Sequence, residues 1–225
     1  VPFFMSSAGY GFRLLSNHQS KVRLACIDDP SLVSLRCESN SLHFQVWCAQ
    51  PYEELLTRYA QLLGLPLYQP PAWIFGPLKS RDWTLDNQQN SLEDIRLPRQ
   101  LKIPATVKLI DAAWETTLND FLFNNHYPQP EEMIAEARRL GYRVVLWIAP
   151  WMVKNEQTSA VYAFCAENNF LIKDQNGNPY VHRLGNSPGF VGSCFDFTNP
   201  QAVEWWQSQI ERLVLMGIDG FKTDF

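Results

Sequence analysis

The sequence predicts an α/β fold: a parallel sheet covered by helices, preceded by antiparallel β-structure. Three observations lead there. Residues 1–50 carry short β-type segments separated by turn residues, the proline-rich "LPLYQPPAW" marks a break, and beyond it apolar strand-like runs alternate with helical ones. That alternation is the pattern of parallel sheets, whose strands are covered on both faces by crossover helices.

The first segments are "YGFRLLS", "KVRLACI", "SLVSLRC" and "LHFQVWCA", punctuated by "SNHQS", "DDPS" and "ESNS". Their spacing predicts an antiparallel sheet or sandwich over residues 1–50. In "PYEELLTRYAQLLG" the period becomes helical: Leu55, Leu56, Tyr59, Leu62 and Leu63 share a face, Pro51 suits the helix start and Gly64 its end. Residues 51–70 thus read as a helix and a proline-rich linker.

Residues 71–225 then alternate. "AWIFGPL" is a short apolar run, "NSLEDIRLPRQLKI" a proline-interrupted helix and "ATVKLIDAAW" a strand. "PEEMIAEARRLG" is a helix with Pro130 in its first turn, glutamates near the positive end of its dipole, arginines near the negative end and Gly141 as its stop. "YRVVLWIAPW" reads as a fully buried strand, "TSAVYAFCAEN" as a helix, and "KDQNGNPYVHRLGNSPGFVGS" as an excursion rich in turn residues. "NPQAVEWWQSQIERLVLMG" is a helix capped by Asn199, with Pro200 in its first turn and Gly217 at its end, and "IDGFKTDF" is the last strand. Four strands and three connections make half of a (β/α)₈ barrel or a small open sheet.

Composition narrows the function. A hydrophobic fraction of 46% supports a real core, and a net charge of −4 without a basic run argues against nucleic acid or an anionic membrane as partner. No apolar run approaches the ~20 residues that span a bilayer. The opening "VPFFMSSAGYGF" lacks the features of a secretory signal and reads as the middle of a β-domain. Five cysteines without a C-x-x-C pair and four scattered histidines argue against a structural zinc site, and the cysteines are expected to be mostly free, buried thiols. A homo-oligomer and the compartment are left open.

In parallel α/β folds chemistry gathers where strands end. Alternation on the last strand sends Gly220, Lys222 and Asp224 inward and Phe221, Thr223 and Phe225 toward the helices. Lys222 and Asp224 lie roughly 6.5 Å apart along an extended strand, close enough for the ammonium to favour an ionised carboxylate. Such a carboxylate suits a nucleophile at a sugar's anomeric carbon, the alternative being an interior salt bridge. In "LIDAAW" the inward face finishes on Asp111, followed by Trp114, although a strand-terminal Asp also serves as a turn cap. In "VVLWIAPW" alternation puts Trp147 at the mouth. A tryptophan there is either core or, beside paired carboxylates, a platform for the axial hydrogens of a sugar ring.

In order, "VPFFMSSAGYG", "RYAQLLGLP", "PPAWIFG", "LIDAAW", "YPQPEEMIAEARRLGYRVVLWIAPW", "FDFTNPQAVEWW" and "GIDGFKTDF" resemble glycoside hydrolase family 31, the α-glucosidase and α-xylosidase family. The resemblance runs over nearly the whole chain. It implies the first half of a (β/α)₈ TIM barrel, strands one to four, preceded by the end of an antiparallel β-sandwich domain. It further implies that Asp224 is the catalytic nucleophile of a retaining mechanism, in which two carboxyl groups stand roughly 5 Å apart and a covalent glycosyl-enzyme forms. Lys222 would support it, Asp111 would bind sugar hydroxyls, and Trp147, Trp83 and Trp114 would contribute aromatic contacts with substrate. Asp196 of "DFTN" is read as holding a loop.

Two departures stand out: "LGNSPGFVG" offers Asn186 where many members carry Trp, which bears on sugar preference, and "FLFNNHYPQP" has Asn where Asp is common, read as structural. The general acid/base belongs to later strands in this family, so these 225 residues alone are expected to hydrolyse little. The function implied is an exo-acting α-glycosidase removing terminal glucose or xylose, with galactose as a third option. It would take an oligosaccharide or glycoside substrate and use no metal or organic cofactor. Rivals are a lyase or transglycosylase on the same scaffold, or a carbohydrate-binding homologue without catalysis.

Overall fold

A computed structural model describes residues 3–26, 29–64, 69–154, 160–183 and 190–224. They form two compact units, residues 1–70 and 71–225.

In the first unit β1 (Phe3–Ser6), β2 (Tyr10–Leu14) and β5 (Phe44–Cys48) make an antiparallel sheet in the order β1-β2-β5, while β3 (Ser20–Cys26) and β4 (Asp29–Cys37) pair as a separate hairpin. α1 (Glu54–Leu62) begins three residues after Pro51, later than the sequence suggested. Of its expected apolar face only Leu55 is fully buried; Leu56 and Leu62 are exposed. Tyr59 stacks on Phe3 at 3.8 Å, and the Trp47 indole N–H donates to Leu55 O at 3.2 Å, so aromatic contacts fix this helix on its sheet.

The second unit is built on four parallel strands, β6 (Leu78–Lys79), β7 (Val107–Ile110), β8 (Arg143–Ile148) and β12 (Gly220–Thr223), in the spatial order β12-β8-β7-β6. The helices between them are α2 (Gln88–Gln100), α3 (Pro130–Arg139), α4 (Ala160–Glu167) and α5 (Pro200–Met216). "AWIFGPL" is not a strand: Ala72–Phe75 is one 3₁₀ turn, and only Leu78 and Lys79 join the sheet. Pro77 has no N–H to give a ladder, and its carbonyl instead accepts from Thr106 N at 2.9 Å. α2 runs through Pro98, which sits in its last turn.

The excursion after β8 is more regular than its turn residues suggest. β9 (Trp151–Val153), β10 (His182–Arg183) and β11 (Val191–Cys194) form a small antiparallel sheet, ordered β10-β11-β9. Asn186 lies outside the described residues, as does Phe225. Among the five cysteines, all free, only Cys165 is fully buried and Cys48 is exposed, so the expectation of mostly buried thiols fails.

Capping follows the sequence closely. Asn199 Oδ1 accepts from Gln201 N at 3.0 Å, and Gly217 ends α5 at φ +118°. Asp219 then docks the start of β12 on β8, accepting from Val144 N and Arg143 at 3.0 Å each. Ile110, Val144, Leu146 and Ile148 pack against Ile95, Met133, Ile134, Ala137 and Leu213 in one core. One charged residue faces the same way: Lys108, 2% exposed, bonds Asp86 at 2.7 Å and Asp94 at 2.9 Å. Burial raises the Asp94 pKa, but bonds from Arg81 and Lys108 more than reverse that, leaving it below the ordinary range.

Candidate active site

Period-two alternation puts Val107 and Leu109 of β7, Val145 of β8, and Gly220 and Lys222 of β12 on the face away from the helices, where they line one concavity together with Asp111. The C-terminal ends of β7, β8 and β12 lie side by side, because Leu109 pairs with Val145 and Lys222 pairs with Trp147. Residues far apart in the chain therefore reach one mouth.

Asp224, one residue past β12, donates its backbone N–H to Ile148 O at 3.0 Å. Its Oδ2 accepts from the Trp147 indole N–H at 2.9 Å. Lys222 Nζ stands 3.5 Å from the same oxygen, but its closer partner is Asp111 Oδ2 at 2.9 Å. Partial burial pulls the Lys222 pKa down, yet the bond to Asp111 and the charges of Asp111 and Asp224 outweigh it, so the ammonium is held more firmly than in water. Asp111 also accepts from Ala112 N at 2.8 Å, so it is both a turn cap and a site carboxylate.

Asp111 and Asp224 open into a cavity of about 130 Å³, walled by Trp83, Ala112, Leu118, Trp147, Trp151 and Phe190. That is well below the ~300 Å³ at which ligand pockets for drug-sized molecules begin, so these groups form one wall of a site. The wall is aromatic, with ring centroids 5.8 Å apart for Trp147 and Trp151 and 6.3 Å for Trp83 and Phe190. Two oriented carboxylates beside indole faces can hold hydroxyls on one edge of a ring and C–H groups on its flat side.

Five of the six expected site residues meet here: Asp224, Lys222, Asp111, Trp147 and Trp83. Trp114 does not. It is fully buried, stacked at a tilt on Phe123 with centroids 4.8 Å apart, and its indole N–H donates to Trp147 O at 2.9 Å. The 3₁₀ turn Ala112–Trp114 breaks the alternation beyond Asp111 and swings this ring into the core. Trp147, expected as a wall, also proves to be the hydrogen-bond donor to Asp224. Trp151, Leu118 and Phe190 were not anticipated as lining. Trp151 follows the strand end within the quoted "WIAPW" and so carried a signal, whereas the other two come from loops without one.

Behind Trp147 lies a tight loop. Glu115, 5% exposed, accepts from Asn119 N at 2.9 Å and Phe121 N at 3.1 Å. Burial drives its pKa well above the ordinary carboxylate range, against the pull of those two N–H groups. Asn124, from the stretch with the family departure, donates to Ala113 O at 2.8 Å and Glu115 O at 2.9 Å, a structural task. Asp196 likewise holds a turn, accepting from Thr198 N at 3.0 Å.

A parallel strand–helix sheet with its polar groups at the strand ends defines the class, an α/β domain. A family model described as "Glycosyl hydrolases family 31 TIM-barrel domain" matches residues 67–225, and the chain belongs to that family. It is 30% identical to the α-xylosidase XylQ of Lactiplantibacillus pentosus over 232 residues, covering 100% of this chain and 29% of the relative. It is 28% identical to an α-xylosidase of Emericella nidulans, covering 100% of this chain and 28% of that protein. Among solved structures, a family 31 dextranase of Flavobacterium johnsoniae complexed with glucose superposes with a TM-score of 0.83 at 25% identity, covering 100% of this chain and 27% of the dextranase. The chain thus spans less than a third of the length of each of these three relatives.

Proposed function

We propose that this chain carries the nucleophile half of the active site of a retaining, exo-acting α-glycosidase, with Asp224 as nucleophile. In this reading it supplies strands one to four of the barrel, preceded by the end of a β-sandwich. Asp224 Oδ attacks the anomeric carbon of a terminal sugar, the glycosidic C–O bond breaks, and the leaving oxygen takes a proton from a carboxylic acid on a later strand. Water then cleaves the glycosyl ester, with that second group acting as base. Lys222 keeps Asp111 oriented for sugar hydroxyls and adds positive charge beside Asp224. Trp147, Trp83 and Trp151 form the apolar wall. A terminal xylose or glucose is the substrate favoured by the likeness to two α-xylosidases, with galactose third.

The observation that carries this reading is the Asp224 carboxylate itself, held by an indole N–H at 2.9 Å and flanked by Lys222, opening with Asp111 into one aromatic cavity. The test uses the full-length protein with aryl α-xyloside and α-glucoside. Asp224→Asn should lower kcat at least ~10³-fold. Incubation with a fluorinated glycosyl fluoride should add one glycosyl mass to the peptide bearing Asp224. Activity within a few-fold of wild type in Asp224→Asn, or an adduct on another residue, would remove the role assigned to it.

A further inference from the structure

We propose that Asn119 is a positioning residue, which holds the end of β8 so that Trp147 presents its indole N–H to Asp224. The proposal rests on the nucleophile reading above and goes beyond it, because Asn119 touches none of the reacting groups.

The geometry is a chain of single contacts. The Glu115 carboxylate accepts from Asn119 N at 2.9 Å; Asn119 Oδ1 accepts from Ala149 N at 2.6 Å; and Ala149 lies two residues past Trp147. On the other side of Ile148, Trp147 O accepts from Trp114 at 2.9 Å. The loop that follows Asp111 therefore grips the backbone of residues 147 and 149, while Asp224 N bonds the carbonyl of Ile148 between them.

Ala149 stands where β8 has ended, so its N–H has lost the sheet ladder and needs another acceptor. Being fully buried, it would leave an orphan donor if that acceptor were absent. Asn119 meets the need at a conformational cost, adopting φ +64°, and Phe121 two residues on sits at φ +61°. Two non-glycine residues in the left-handed region within one short buried loop mark a segment held in place by its surroundings. Glu115 accepts from both of their N–H groups, and Arg212 of α5 donates to Phe121 O at 2.5 Å. Leu118, inside the same loop, lines the cavity, so the anchor fixes part of the wall as well.

Among the described residues, the groups facing Asp224 include Lys222 on its own strand, Asp111 across β8, and Trp147. If Asn119 acts through Trp147, its loss weakens the bond that favours ionised Asp224 while leaving both charged neighbours in place. A merely structural residue would lower the amount of active enzyme without moving its pH dependence.

The test compares Asn119→Gly, which tolerates the left-handed backbone and deletes only the side chain, with Asn119→Asp, which keeps an acceptor oxygen in the same shape. Among the described residues the Asn119 Nδ2 is buried without a hydrogen-bond partner, so a neutral carboxyl in its place, the form that burial favours, breaks no bond there. In the full-length protein Asn119→Gly should lower kcat about tenfold with KM within about twofold, and the acid limb of the kcat/KM profile should move to higher pH. Asn119→Asp should restore most of kcat and return the limb toward its wild-type position. In a Trp147→Phe background Asn119→Gly should add little further loss, because both changes break the same link.

Additive losses, equal damage from Gly and Asp, or an unmoved acid limb would overturn the proposal. If Asn119→Gly fails to fold, Asn119→Asp decides: a folded variant with kcat down tenfold or more would overturn it. Failure of the nucleophile reading is separate, since it is read from Asp224→Asn alone.

Discussion

The Trp147 indole N–H points across two parallel strands at Asp224 Oδ2, 2.9 Å away. The register that pairs Trp147 with Lys222 makes this reach possible, because Asp224 then lies one pleat further along the same face. A hydrogen bond to an ionised acceptor contributes ~1.5–3 kcal/mol. Trp147→Phe keeps an aromatic wall and removes the donor. On an aryl glycoside it should lower kcat by about ten- to a hundredfold, with the acid limb of the pH profile moved upward, since losing a bond to the charged form disfavours that form. A wild-type profile with raised KM alone would show that the ring serves only as a wall.

Lys222 bridges the two site carboxylates but sits closer to Asp111, at 2.9 Å against 3.5 Å to Asp224. Lys222→Met should therefore act on binding as well as on chemistry. Without the ammonium Asp111 loses its anchor, and KM should rise by about five- to tenfold. The nearby positive charge that favours ionised Asp224 also disappears, and the acid limb should again move upward. Because Lys222 is partly exposed, added salt should reproduce a fraction of the limb shift in the wild type and none in the variant. Steady-state kinetics at two ionic strengths separates the two effects.

Where alternation holds, the site could be read from the chain. Lys222 and Asp224, Leu109 and Asp111, and Val145 and Trp147 each keep period two along a strand, so a face could be assigned without a structure. The reading stopped where the strands stop. Trp114 follows Asp111 by only three residues, yet the irregular 3₁₀ turn Ala112–Trp114 replaces the two-residue alternation there, and its ring lies in the core. Leu118 and Phe190 arrive from loops whose course depends on contacts across the fold. "AWIFGPL" failed for a different reason: apolar content alone does not separate a short strand from a turn, and Gly76–Pro77 limits the pairing that follows. Lys108 was invisible as a buried charge because its partners lie 22 and 14 residues away in sequence.

That buried lysine carries its own consequence. With Lys108 replaced by Met, Asp86 loses its ammonium partner while Asp94 keeps Arg81 and Lys79, and breaking a buried pair in this way costs about 3–5 kcal/mol. The Asp94 pKa is lowered in the folded protein, so its contribution to stability is present above the unfolded carboxylate pKa of about 3.9 and is lost as pH falls through the folded value. The stability gap between wild type and Lys108→Met should therefore be large at neutral pH and narrow on acidification. Urea unfolding at neutral and acidic pH measures it; a constant gap would mean that the lysine acts through packing of its stem.

Gly141 and Gly217 both stop helices with a positive φ, +76° and +118°, but their surroundings differ. A Cβ on Gly141 would meet nothing nearer than Arg99 Nη2 at 3.7 Å, an ordinary contact at the end of a flexible side chain. A Cβ on Gly217 would lie 2.9 Å from Ile134 Cγ2, a methyl inside the core that holds α3 against β8. Gly141→Ala should therefore show mainly the backbone penalty, about 1 kcal/mol. Gly217→Ala should add the cost of displacing a packed methyl, bringing the total to about 2–4 kcal/mol. Because Gly217 leads through Ile218 and Asp219 into β12, that displacement also moves the strand bearing Lys222 and Asp224. Gly217→Ala should then lower kcat beyond what the folded fraction accounts for, while Gly141→Ala should track the folded fraction alone, which circular dichroism and kinetics on the same samples would separate.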